Sequence, residues 1–141
     1  MSRYRKVSSL IWNDAKFSSL TDDGQLLFLM MLTHPHMTSI GAMRTTIDGI
    51  AAEKKWIRER VSKGFVELSL KGLIKFNDGA CCLTLPQFIK HNPPENPNVV
   101  KSWAKAIELI PECSLKDELI QRLITYLETL HEPFRNPFGT L

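Results

Sequence analysis

Apolar positions along the chain recur mostly at helical spacing, with one stretch of strand-like character. Ile11 and Trp12 precede Asn13-Asp14, an N-cap signal for a short helix carrying Phe17 and Leu20. Thr21-Asp22-Asp23 starts the next helix, in which Leu26, Leu27, Phe28, Leu29, Met30, Met31 and Leu32 are apolar on nearly all sides. That predicts a buried helix at the centre of the core, with Asp22 and Asp23 as first-turn carboxylates favouring the helix dipole. Residues 33–39 break it, with His34 and His36 as loop residues on either side of Pro35, and Ile40-Gly41-Ala42-Met43-Arg44 suits a short extended connection.

Thr45 or Thr46 is expected to cap a second helix that turns Ile47, Ile50 and Ala51 inward and ends near Lys55. Trp56 and Ile57 then open a third, where Ile57, Val61, Phe65 and Leu68 follow at intervals of four, four and three, the mark of one buried stripe. Its outward face is left to Arg58, Glu59, Ser62, Lys63 and Val66, with Arg60 and Glu67 on a flank. Gly72 stands where a C′ glycine ends a helix. Leu73-Ile74-Lys75-Phe76, the turn Asn77-Asp78-Gly79 and Ala80-Cys81-Cys82-Leu83-Thr84-Leu85 predict a two-stranded hairpin. Three prolines within residues 92–98 favour an extended connector. Beyond it a helix over 99–110 carries Val99 or Val100, Trp103, Ala106, Ile107 and Ile110, and Ser114 is expected to cap a last helix striped by Leu115, Leu119, Leu123, Tyr126, Leu127 and Leu130.

Helix, helix, turn, helix and hairpin is the element order of a winged helix. The expected fold class is therefore mainly α with a small β-hairpin, a winged helix-turn-helix followed by two C-terminal helices. The chain divides into a winged-helix domain over 1–91, a proline-rich connector over 92–98, a helical pair over 99–131 and a tail or linker start over 132–141. The helical pair either packs back on the domain or forms a homodimer interface, the second slightly favoured because a two-fold dimer would set two recognition helices on two half-sites.

Charge gives this order a chemistry. The 141 residues carry a net +3, distributed as +3 over 1–20, +4 over 44–75 and −2 from Glu95 onward. A helix in the major groove reads base edges while nearby cations neutralise phosphates and release counterions. The candidate DNA-binding residues are Arg3, Arg5 and Lys6 in an N-terminal arm that tracks the backbone or a minor groove, Arg44, Lys54 and Lys55 around the turn, Arg58, Ser62 and Lys63 on the third helix, and Lys75 at the wing. Arg60 is expected to pair with an acidic side chain, and Trp12, Trp56 and Trp103 to serve packing rather than base stacking.

Nothing in the sequence makes an active site. Phosphate-loop, dinucleotide, nucleophile-elbow and zincin motifs are all missing, so no enzyme activity and no cofactor are expected. Cys81 and Cys82 are adjacent, whereas zinc sites use Cys pairs two to four residues apart, so no metal is expected. Neighbours on a strand point to opposite faces, so one of the two cysteines packs inward and the other is exposed. Three cysteines without a disulfide spacing imply reduced thiols, and no apolar run reaches membrane-spanning length. The expected setting is cytoplasmic, with no membrane partner.

Ile11-Trp12-Asn13-Asp14, then 20–29 from Leu-Thr-Asp-Asp-Gly-Gln onward, Gly72-Leu73-Ile74 and Phe88-Ile89-Lys90-His91-Asn92-Pro93-Pro94 together resemble the N-terminal winged-helix domain of phage and prophage replication proteins. This is the replisome-organiser or DnaD-like group, similar in role to the lambda-type O replication protein. The resemblance spans most of residues 3–131. It implies origin recognition and recruitment of a replicative helicase or helicase loader. Two other readings suit the same order of elements: a prophage transcriptional regulator, and a protein-interaction scaffold that touches no DNA.

Overall fold

The structure, a computed structural model, describes residues 4–130. Arg3 and the tail expected over 132–141 lie outside the described residues. A 3₁₀ turn, Ser9–Asn13, leads into α1 (Ala15–Ser18) and α2 (Asp22–Thr33), followed by β1 (Ala42–Arg44), α3 (Ile47–Lys54) and α4 (Arg58–Leu70). Then come β2 (Lys75–Asn77), β3 (Cys82–Thr84), α5 (Phe88–His91), α6 (Pro97–Glu108) and α7 (Ser114–Glu128). The chain is mainly helical with a small antiparallel sheet of three strands in the order β1-β3-β2.

The expected hairpin forms, with β2 antiparallel to β3, and an unexpected third strand joins its other edge. The short connection over residues 40–44 contains β1, which pairs with β3 in the register Ala42 to Thr84, Met43 to Leu83 and Arg44 to Cys82. Both faces of this sheet are buried, and the two-residue strand period sorts neighbours between them. Met43 and Leu83 enter a first core with Leu27, Met31, Val61, Phe65 and Leu68, built around α2, α3 and α4. Ala42 and Cys82 point the other way, into a second core with Val100, Trp103, Leu119, Leu123 and Leu127 from α6 and α7. The apolar stripes of α6 and α7 thus cover the far side of the sheet.

Helix ends follow local chemistry. Thr21, Thr46 and Asn96 each accept a bond from the backbone N–H three residues on, capping α2, α3 and α6. The proline-rich connector is shorter than expected, because Pro97 is the first residue of α6, where its missing N–H costs nothing. Ser114 is likewise the first residue of α7; Cys113 is its N-cap and makes no side-chain capping bond. Gly72 follows the end of α4 at φ 73°, as its position predicts. In the β2–β3 turn the left-handed residue is Cys81 at φ 57° rather than Gly79, while Asn77 Oδ1 accepts from the Ala80 N–H.

One expectation for α2 needs correction. Leu26 is exposed, so this helix has a solvent side, although Leu27, Met31 and Leu32 are buried. His34 lies in the loop as expected, and it is buried there. Its Nδ1 accepts from the His36 N–H at 3.1 Å, so Nε2 carries the ring proton and donates to Glu53 Oε2 at 2.7 Å, tying the end of α2 to α3.

Candidate nucleic-acid interface

The stripe of α4 settles which of its sides meets solvent. Val61, Gly64, Phe65 and Leu68 are buried, and α2 approaches so closely that a Cβ on Gly64 would overlap Leu27 Cδ1. At 100° per residue the opposite side is Glu59, Lys63, Val66 and Leu70, all exposed, with Ser62 half-buried beside them. Contrary to expectation, Ile57 is not part of the buried stripe. It is the N-cap, outside the helical period, and is 70% exposed.

Except for the exposed Glu59, the acidic groups around α4 are engaged within the fold. Asp23 accepts two bonds from Arg60, at 2.7 and 2.8 Å, and this guanidinium holds its carboxyl below the usual range, with Lys54 and Lys63 adding to the effect. Arg60 accordingly has the acidic partner expected for it, and its guanidinium also covers the Trp56 ring at 3.6 Å. Asp48 pairs with Arg58 at 2.9 Å, and Glu53 is held by His34. Glu67 accepts from the Thr21 N–H at 2.9 Å and from Thr21 Oγ1 at 2.7 Å, which places its charge at the positive end of α2.

The candidate cations divide in two. Arg44 at the end of β1, Lys54 and Lys55 at the end of α3, and Lys63 on α4 have no ion pair within 4 Å among the described residues. Lys54 lies over the Trp56 ring at 4.8 Å, and Lys55 occupies the left-handed turn that redirects the chain into α4. Arg58 is exposed but paired. Lys75 is turned to the C-terminal helices, with its Nζ 3.3 Å from Glu118 of α7.

Arg5 and Lys6 do not form a free arm. Arg5 Nη2 donates to the Met37 carbonyl at 2.6 Å with its guanidinium over the Phe88 ring, and the Lys6 backbone exchanges two hydrogen bonds with the Asn92 side chain. Lys71, outside the set of cations that the sequence singles out, is exposed at the end of α4; its place just before Gly72 was the available signal.

Among the described residues, no three His, Cys, Asp or Glu side chains converge as a metal site would need. Cys82 is buried in the second core and Cys81 is half-buried at the turn. Burial, reinforced by contact with Cys113, pushes the Cys82 thiol up to about 12, against the opposing charge of Lys116, so it stays a thiol at neutral pH. No helix among the described residues is long and apolar enough to cross a membrane. Comparison with protein-family models, curated proteins and solved structures gives no match.

Proposed function

We propose that this protein is a DNA-binding winged-helix module in which α4 is the recognition helix and the β2–β3 hairpin is the wing. The observation that carries the reading is the charge left over within residues 44–75. Arg44, Lys54, Lys55, Lys63 and Lys71 have no acidic partner, while Glu59 is the one acid there without a partner among the described residues. Apart from Glu59, the fold thus uses the carboxylates of this segment internally and leaves cations bordering a helix face of about three turns that no other element covers among the described residues. Cations so placed gain free energy by displacing counterions from phosphates, and an uncovered helix of this length fits a major groove.

The resemblance to phage and prophage replication proteins gives the biological setting: origin recognition in replication initiation, with a replicative helicase or its loader as the protein partner. A prophage transcriptional regulator would use the same surface, and selection from a random duplex pool separates the two by whether the retained sequence maps to an origin or a promoter. Val66 and Leu70, 56% and 83% exposed on the outward strip of α4, favour a second reading in which this face binds a protein instead.

Anisotropy of a labelled duplex, titrated from roughly 50 to 200 mM salt, decides between DNA and protein. The DNA reading predicts a linear fall of log affinity with log salt, and a slope shallower by about 0.9 for Lys63→Ala if that ammonium meets one phosphate. Absence of salt-dependent binding at the low end would remove it.

A further inference from the structure

We propose that the N-terminal strap, residues 4–14, together with α1 carries a second nucleic-acid surface, on which Trp12 receives an unpaired base and Lys6 and Lys16 hold the flanking phosphates of a single strand. Trp12, Lys6 and Lys16 share no residue with α3 or α4, so this surface stands independently of the duplex reading, although the ligand is of the same chemical class.

Apolar character alone assigns Trp12 to packing, yet it is 61% exposed, and Leu10 beside it is 67% exposed. Its edge-to-face contact with the buried Phe17 ring, centroids 5.4 Å apart, occupies only part of the indole. The strap is fixed despite this exposure. Ser8 Oγ accepts from the Leu10 N–H, the Asp14 N–H donates to the Ile11 carbonyl, and the Lys6–Asn92 and Arg5–Met37 bonds clip the preceding residues to the body. A large aromatic face held rigidly in water marks a contact site, because ordering it at the moment of binding costs little.

Charge chooses the partner. Trp12 stands outside a cleft of about 620 Å³ and borders it through Phe17, which walls the cleft with Phe28 and Phe88, while Lys6, Lys16 and Lys90 are its lining cations. Asp14 is the one acidic residue in that lining, and its carboxylate is engaged in capping α1 through the Lys16 N–H; Lys6 Nζ lies 3.8 Å from Glu95, an exposed pair of the kind that contributes little and that a phosphate can replace. An aromatic platform edged by lysines is the arrangement that single strands use, since every base has a π-face and every nucleotide a phosphate. A purely apolar protein surface would gain from Leu10 but nothing from the lysines.

The test is titration with a 20-nucleotide oligothymidylate, followed by tryptophan fluorescence and by anisotropy, with a 20-base-pair duplex measured in parallel. Trp56 is half-buried and Trp103 buried, so quenching that disappears in Trp12→Phe identifies Trp12. The expected results are quenching by the oligonucleotide, a loss of about 5- to 150-fold in single-strand affinity for Trp12→Ala, and unchanged duplex affinity. Lys16→Glu, on an exposed side chain that leaves the Phe17 contact intact, should lower single-strand affinity and make its fall with salt shallower, because one phosphate contact is lost. Single-strand binding indifferent to both substitutions overturns the proposal, as does absence of single-strand binding while the duplex still binds. Equal loss for both ligands in Lys16→Glu also overturns it, because the strap would then be no separate surface.

Discussion

Trp103→Ala is expected to lower the unfolding free energy by about 3–5 kcal/mol, a large part of the 5–15 kcal/mol typical of a domain this size. Trp103 is the largest fully enclosed side chain and the centre of the second core, meeting Tyr126 with ring centroids 6.4 Å apart. Its removal leaves a void between α6, α7 and the sheet that neither helix can close without losing contact with Ala42 and Cys82. The indole N–H has no hydrogen-bond partner among the described residues, so truncation strands no acceptor. Trp103→Phe should therefore lose far less than Ala, because it keeps most of the buried area and removes an unsatisfied donor. Urea melts of the two variants measure this; equal losses would contradict a core centred on the indole.

The second large effect is expected at Gly41. Its φ of 77° favours glycine, and a Cβ built there would overlap Cβ and Cγ of Phe88. Those atoms sit next to the α5 backbone and cannot swing aside as a side-chain tip can. The Gly41 carbonyl also accepts from the Leu85 N–H at 2.8 Å, so the strained position closes the sheet beside β1 and β3. Gly41→Ala combines left-handed strain with overpacking, and we expect a cost of about 2–4 kcal/mol by the same melts. A loss below about 0.5 kcal/mol, the scale of an ordinary surface change, would show that Phe88 yields freely.

What the sequence reveals, and what it hides, divides by whether the cause is local. Val61, Phe65 and Leu68 announce the buried side of α4 by spacing alone, and Thr21 and Gly72 announce helix ends by their own chemistry. Ile57 misleads because an N-cap precedes the helical period. Three residues of β1 are too few to signal a strand; they become one because β3, some forty residues on, supplies the hydrogen bonds. Glu67 reads as an anion on the binding helix, and its partner Thr21 lies 46 residues earlier, a pairing that no local pattern contains. The same holds at the candidate interface. Which cations exist is plain in the sequence, but which remain unpaired depends on Asp23, Asp48 and Glu118 arriving from other elements. Trp12 is hidden because apolar residues default to the interior, and only geometry shows the strap holding it outside.

The claim on which the functional account rests is that the outward side of α4, and not another face, meets duplex DNA. Amide chemical-shift mapping of isotopically labelled protein on addition of a duplex tests this directly. The account predicts the largest shifts at Arg44, Lys54, Lys55 and along α4 at Arg58, Ser62 and Lys63, with α6 and α7 unmoved. Shifts confined to α6 and α7, or to the buried side of α4, would contradict it.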